Sequence, residues 1–200
     1  MQVVVSEFIS LDGVVQAPGG PQEDTTGGFR HGGWSHPFFD PEVMGGTIFE
    51  FAQRCDALLQ GRTTYQASAS AWPERAGDVF ADWINGVQKY VVSDTLSEAD
   101  LTWSPTTIIR GTDLLKEVSE LRQRPGGDIY IYGSLSLVRT LLAAELVDEL
   151  ILMIEPIVLG GGKTLFPNDG EARQFELTSA KTAATGVLVC SYRPASRGRP

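Results

Sequence analysis

"YIYGSLSLVRTLL", residues 130–142, changes period in its middle. Tyr130, Ile131 and Tyr132 suit a strand, and Leu137, Val138, Leu141 and Leu142 recur at helical spacing. Between them stand Gly133 and Ser134, where a chain filling a core would place bulk. A strand that runs through two small residues into a helix is the repeating unit of an α/β sheet. The missing side chains mark a point where something comes close to the backbone.

The same alternation extends in both directions. "VVVSEFISLDGVV" reads as a buried strand ending at the Asp12-Gly13 turn, and "DALLQG" (56–61) as a short buried strand followed by a helical "RTTYQASASAW". "AGDVFADWINGV" predicts a helix with Val79, Trp83 and Val87 inward, and "TDLLKEVSELRQR" one with Leu114, Leu115, Val118 and Leu121 inward. "KYVVSDTL", "TTIIRG" and "DIYIYG" are strands, and "VDELILMIEPIVLG" is a long strand broken at Pro156. The C-terminal "QFELTSAKTAATGVLVCSYRP" reads as two antiparallel strands around Gly186. Helix and strand alternate and the chain then ends antiparallel. This predicts one α/β domain over residues 1–194, mostly parallel with an antiparallel C-terminal edge, and a frayed tail at 195–200.

Residues 17–41 interrupt the pattern: "APGGPQEDTTGGFRHGGWSHPFFDP" is dense in Gly and Pro yet carries Phe29, Trp34, Phe38 and Phe39. Four aromatics favour a loop that packs, a lid, over a linker. Asp40 or Pro41 then opens a helix to about Arg54.

Composition narrows the function classes. With 42% hydrophobic and 20% charged residues the 200-residue chain is an ordinary globular one. A net charge of −9 argues against a nucleic-acid or acidic-membrane surface. No apolar run approaches the roughly 20 residues of a membrane span, and the N-terminus lacks the layout of a signal peptide. Cys55 and Cys190 read as buried thiols in a reducing cytoplasm. His31 and His36 share one loop without a second ligand pair, so no metal is expected.

Three strand ends carry small residues: Gln60-Gly61 before Arg62-Thr63-Thr64, Val92-Ser93 before Asp94-Thr95, and Tyr132-Gly133 before Ser134. Parallel strands bring their C-termini to one edge, where ligands bind. A helix starting there offers free N–H groups and the positive end of its dipole to an anion. Simple helix capping is the alternative at each junction. Three junctions together, one with Arg62, point to a dinucleotide, although the GxGxxG fingerprint is absent. "IVLGGGKTLF" is a decoy: a P-loop needs Gly where Ile157 stands, and Phe166-Pro167 prevents the helix that should follow.

"SEFISLDGVV", "ALLQGRTTY", "KYVVS", "GGDIYIYGSLSLVRTLL" and "VDELILMIEPIVLGGGKTLF" occur in the order seen in the dihydrofolate-reductase-like superfamily. The chain resembles most closely the C-terminal reductase domain of the riboflavin-biosynthesis deaminase/reductase and the stand-alone bacterial "dihydrofolate reductase family" proteins. The resemblance implies NADPH bound across strand ends. Gly61, Arg62 and Thr63 would hold its phosphates with Ser93 nearby and Arg110 as an additional partner. Gly133, Ser134 and Leu135 would donate to the diphosphate. Ser10 to Gly13 and the following loop would cover nicotinamide and substrate. A homodimer, joined through the C-terminal strands, is also implied. Arg62 suits selection of NADPH over NADH because a guanidinium matches phosphate oxygens, and an inward Asp94 would oppose a 2′-phosphate. The chain departs from folate reducers, whose first helix carries an acid: here Gly45-Gly46 occupies that place, flanked by Glu42 and Glu50. The H-x-E and P-C-x-x-C elements of a zinc deaminase are absent.

A hydride transfer also needs a proton donor. Asp12, at the end of the first strand, is the catalytic candidate, with a turn aspartate as the alternative. Glu155 reads as a pocket acid or as part of the strand break at Pro156. Trp34 and Phe38 stack on a flat heterocycle or anchor their own loop. These residues predict an NADPH-dependent cytoplasmic reductase of a small heterocyclic or carbonyl substrate, such as a phosphoribosylamino-pyrimidine. A non-catalytic nucleotide binder or dimer scaffold, and a dihydrofolate reductase, are the alternatives.

Overall fold

Val3–Ser10 forms the first strand, β1, and Val3, Val4 and Val5 are completely buried. A strand apolar on both faces belongs in the middle of a covered sheet. The computed structural model describes residues 1–75, 77 and 79–195, so the tail expected to fray lies, from residue 196 on, outside the described residues. After β1 come α1 (Gly46–Arg54), β2 (Cys55–Gly61), α2 (Arg62–Ala71), α3 (Val79–Gly86), β3 (Gln88–Val92) and β4 (Thr106–Ile109). Then follow α4 (Leu114–Gln123), β5 (Asp128–Tyr132), α5 (Leu135–Ala143), β6 (Glu149–Glu155), β7 (Phe175–Thr182) and β8 (Leu188–Pro194). The strands hydrogen-bond into one eight-stranded sheet in the order β4-β3-β2-β5-β1-β6-β8-β7.

The chain clusters into two compact units that share β1: Met1–Val5 with Ile48–Val147, and Ser6–Thr47 with Asp148–Pro200. In the first unit β4, β3, β2 and β5 are parallel, each reached by a crossover. Leu58, Leu59, Ile129 and Ile131 fill its core, with Leu121 from α4 and Leu141 from α5. The periodicity of α5 is borne out in full, with Leu137, Val138, Leu141 and Leu142 all buried. Two inward assignments fail. Val79 is 65% exposed, because the eight-residue α3 buries Ala81 and Ile84 instead. Leu115 is 44% exposed at the rim of the stripe made by Leu114, Val118 and Leu121.

In the second unit β8 pairs antiparallel with β6 and β7, the expected C-terminal edge. The 17–41 segment folds into short 3-10 turns at Thr26–Gly28 and His36–Phe38. It ends at Asp40, whose carboxylate accepts from the N–H groups of Glu42 and Val43 at 3.0 and 2.8 Å and also from Ala184. Pro41 takes the first helical position, as its preset φ favours.

Candidate functional site

The small residues of the opening stretch face another small-residue junction. In the first unit the N–H of Gly61 donates to the hydroxyl of Ser134 at 2.7 Å. A Cβ on Gly133 would meet the Thr64 side chain at 3.3 Å, and one on Gly61 would meet Ser134 Oγ at 3.3 Å. Gly133 (φ +61°) and Ser134 (φ +57°) are both left-handed, a conformation that is strained for serine. Much of what comes close to this backbone is therefore the first turn of α2. The contact sets two helix starts side by side, and no side chain of its own N-cap residue caps either α2 or α5. Their first N–H groups lack intrahelical acceptors and the helix dipoles add positive potential. Arg62 and Thr63 are exposed, and the Arg62 guanidinium has no partner among the described residues.

The third junction behaves differently. Ser93 is buried and its hydroxyl accepts from the N–H groups of Thr95 and Leu96, making a local turn, and no helix starts there. Arg110 donates to the carbonyls of Ser93 and Leu96 at 2.8 and 2.9 Å. Nη1 thereby braces that turn, while Nε and Nη2 have no partner among the described residues.

Behind the paired junctions lies a polar chain that sequence reasoning missed. Gln60 donates to Ser68 Oγ at 3.1 Å, which in turn lies 2.8 Å from the Tyr132 hydroxyl. Burial pushes the Tyr132 phenol up, so it stays protonated. Gln60 and Tyr132 each immediately precede a junction glycine, and that shared position was the available signal.

In the second unit Asp12 is a tie. Ser10 Oγ donates to it at 2.6 Å, and the N–H groups of Leu159 and Gly160 donate at 3.1 and 2.8 Å. The Ser10 hydrogen bond, with help from these amides, holds the carboxyl below its usual range. An exposed, ionised carboxylate does not supply a proton at neutral pH, and this argues against the catalytic role expected of Asp12. Gly13 (φ +82°) makes the turn that brings Val14 into a bridge with Thr164.

Gln16, also unforeseen, is the hub of the loop. Its amide donates to the carbonyls of Asp24 and Thr26, its Oε1 accepts from Lys163 N–H, and its own carbonyl accepts from the Trp34 indole at 2.8 Å. Trp34 is thus buried as the loop's own anchor, while Phe38 is half-buried. Lys163 Nζ lies 2.6 Å from Asp24. Burial disfavours the Asp24 charge, but hydrogen bonds from Lys163 and Thr26 outweigh it and hold the carboxyl at about 2. A cleft of about 460 Å³ opens here, lined by Gln16, Phe29, Arg30, His31, Lys163 and the Gly160–Gly162 loop. Gly162 admits no side chain, since a Cβ would lie 2.8 Å from Val14 and 2.9 Å from the Phe29 ring. No helix follows, in line with the rejected P-loop.

Glu155 is the acid of this unit. It is completely buried, accepts from Ser35 Oγ at 2.5 Å, and its Oε2 has no partner among the described residues. Burial raises its pKa to about 7 against the lowering effect of Ser35. Glu42 and Glu50, by contrast, are exposed. Among the described residues no three His, Cys, Asp or Glu side chains gather as a metal site, and no helix is long and apolar enough to cross a membrane.

The fold recurs in known proteins. The chain is 29% identical over 195 residues to the uncharacterized protein YyaP of Bacillus subtilis, covering 96% of this chain and 94% of that one. A putative riboflavin biosynthesis protein from Shewanella sp. PV-4 superposes with a TM-score of 0.75 at 21% identity, covering 98% and 100% of the two chains. The dihydrofolate reductase of Enterococcus faecalis, solved in complex with NADP(H) and RAB-propyl, superposes with a TM-score of 0.59 at 14% identity over 98% and 97% of the two chains. The pattern of the RibD C-terminal domain, the reductase part of riboflavin-biosynthesis enzymes, matches residues 1–189. That match spans nearly the whole chain, and the chain belongs to the RibD C-terminal domain family.

Proposed function

We propose that the protein is an NADPH-dependent reductase of a small heterocyclic or carbonyl compound. The observation that carries this reading is the pair of helix starts tied by Gly61 and Ser134. Two adjacent sets of free N–H groups suit a diphosphate. The N–H groups of Arg62, Thr63, Leu135 and Ser136 would hold it, and the Arg62 guanidinium would pair with the 2′-phosphate. When bound, NADPH supplies the hydride. Ser134 Oγ, occupied by Gly61, acts by positioning.

The acceptor is assigned to the cleft of the second unit. Arg30 and the N–H groups of Gly161 and Gly162 would engage an anionic group, as a phosphoribosylamino-pyrimidine carries. Glu155, titrating near neutral pH, is the residue suited to store a proton. A homodimer through β7 follows from that strand's edge position and exposed Leu177. Cytoplasmic residence suits the buried thiols Cys55 and Cys190.

Titration with NADPH and NADH, followed by tryptophan fluorescence, tests the reading. Saturable binding that weakens about tenfold in Arg62→Ala is expected. Absence of saturable binding by either dinucleotide overturns it. A second reading, a binder without turnover, draws on the loss of Asp12 as an acid; NADPH oxidation with any pyrimidine or carbonyl acceptor excludes it.

A further inference from the structure

The end of β3 carries a carboxylate where the adenosine half of a dinucleotide would lie. β2 and β3 are parallel with Gly61 level with Val92, and β3 and β4 with Val92 level with Ile109. The three strands end at this level: Arg62 opens α2 directly after Gly61, Asp94 follows Val92 by two residues, and Gly111 follows Ile109 by two. Neighbouring strands lie about 4.8 Å apart, so this acid and Arg62 flank one stretch of the sheet edge. The placement at Gly111 is seen directly: its N–H donates to Asp94 Oδ1 at 2.8 Å.

Further observations make Asp94 a fixed charge at that edge, without an ion-pair partner among the described residues. A side chain at position 111 would collide with Asp94 Oδ2, the Cβ falling 2.8 Å from it, so glycine is needed for the carboxylate to rest there. Oδ2 has no hydrogen-bond partner among the described residues, and Asp94 is exposed. Arg110, which precedes Gly111, turns its Nη1 to the carbonyls of Ser93 and Leu96 and makes no ion pair with Asp94. Asp113, two residues beyond Gly111, adds a second exposed carboxylate to the neighbourhood.

We propose that Asp94 sets the cofactor preference: its carboxylate receives the ribose hydroxyls of the adenosine half and opposes a 2′-phosphate, restraining the selectivity that Arg62 provides. An acid at the end of a parallel strand accepts a hydrogen bond from a 2′-hydroxyl, whereas a phosphate there meets like charge. The inference rests on the dinucleotide reading of the α2 and α5 starts. It makes the preference a balance between one guanidinium and one carboxylate.

Adenosine 2′,5′-bisphosphate and adenosine 5′-monophosphate are the probes, since they differ only in the 2′-phosphate. Their dissociation constants are measured by calorimetry for the native chain, Asp94→Asn and Asp94→Ala, with NADPH and NADH run in parallel. Asparagine keeps an acceptor for the Gly111 N–H, and alanine removes it. In both variants the bisphosphate is expected to bind about tenfold tighter relative to the monophosphate, an advantage that shrinks with added salt. An unchanged ratio in Asp94→Asn, with saturable binding of both probes, overturns this inference and leaves the dinucleotide site standing. A ratio that changes only in Asp94→Ala also overturns it, because the effect then belongs to the Gly111 hydrogen bond. Failure of all four ligands to bind the native chain overturns the site and this inference together.

Discussion

Ser134, left-handed at φ +57°, lends its hydroxyl to the N–H of Gly61, a residue 73 positions away. One hydrogen bond thereby ties together the two helix starts to which the proposed cofactor is assigned. Ser134→Ala is expected to lower stability by about 1 kcal/mol and to weaken NADPH binding, as measured by denaturant titration and fluorescence. Equal affinity in the variant would show that the starts are held together without it.

Gly133→Ala tests the close approach at the same place. A positive φ of 61° and a Cβ 3.3 Å from Thr64 add strain and crowding. A loss of about 1–3 kcal/mol is expected. The double variant Gly133→Ala/Thr64→Ser removes the Thr64 methyl and is expected to recover part of that loss, leaving the backbone strain.

Glu155 makes stability depend on pH. Its folded pKa of about 7 lies above the ordinary value of 4.5. The unfolded chain thus releases this proton first, and stability falls as pH rises from about 4.5 to 7, by up to roughly 3 kcal/mol. Glu155→Gln is expected to flatten this contribution between pH 5 and 8, read from denaturation midpoints. An identical pH profile in both proteins would show that Glu155 ionises without penalty.

Asp12→Asn separates a tie from an acid. Asn keeps one acceptor where the carboxylate serves Ser10, Leu159 and Gly160, so a loss of about 1 kcal/mol is expected. The native contribution is present above the ordinary aspartate pKa and fades as acid protonates the carboxyl, because its pKa is lowered on folding. Turnover by the variant, once an acceptor is found, should be altered through loop position without removal of a titrating limb from the rate profile.

Lys89 is fully buried, donates to the carbonyls of Asn85 and Val87, and lies 4.5 Å from the Trp103 ring centroid. Burial lowers its pKa from 10.5 to about 8. The unfolded chain then holds more protons between these values, so this residue makes stability rise with pH from about 8 to 10.5. Lys89→Met is expected to abolish that rise in thermal melts.

The α/β alternation was legible because hydrophobic period is a local property. Leu137, Val138, Leu141 and Leu142 declare their buried face from spacing alone. Short elements were less legible: α3 has only eight residues, and which of its faces is inward depended on neighbours, so Val79 was misread. The junction glycines were visible as well, since a strand meeting a helix through Gly leaves a local mark at 61 and 133.

The chemistry of the polar residues was decided elsewhere. In sequence Ser93, Arg110 and Asp12 are all available ligands; in the fold their hydrogen bonds go to backbone, in the case of Asp12 to amides up to 148 positions away. Glu155 beside a proline carries no local sign that its charge is buried, and its partner Ser35 comes from a loop 120 residues earlier. Sequence by itself determined where strands and helices alternate and where the backbone is bare, because those follow from neighbouring residues. Tertiary structure alone decided which polar groups remain free, because a hydrogen bond's partner and a carboxylate's desolvation are set by whatever the folded chain brings beside it.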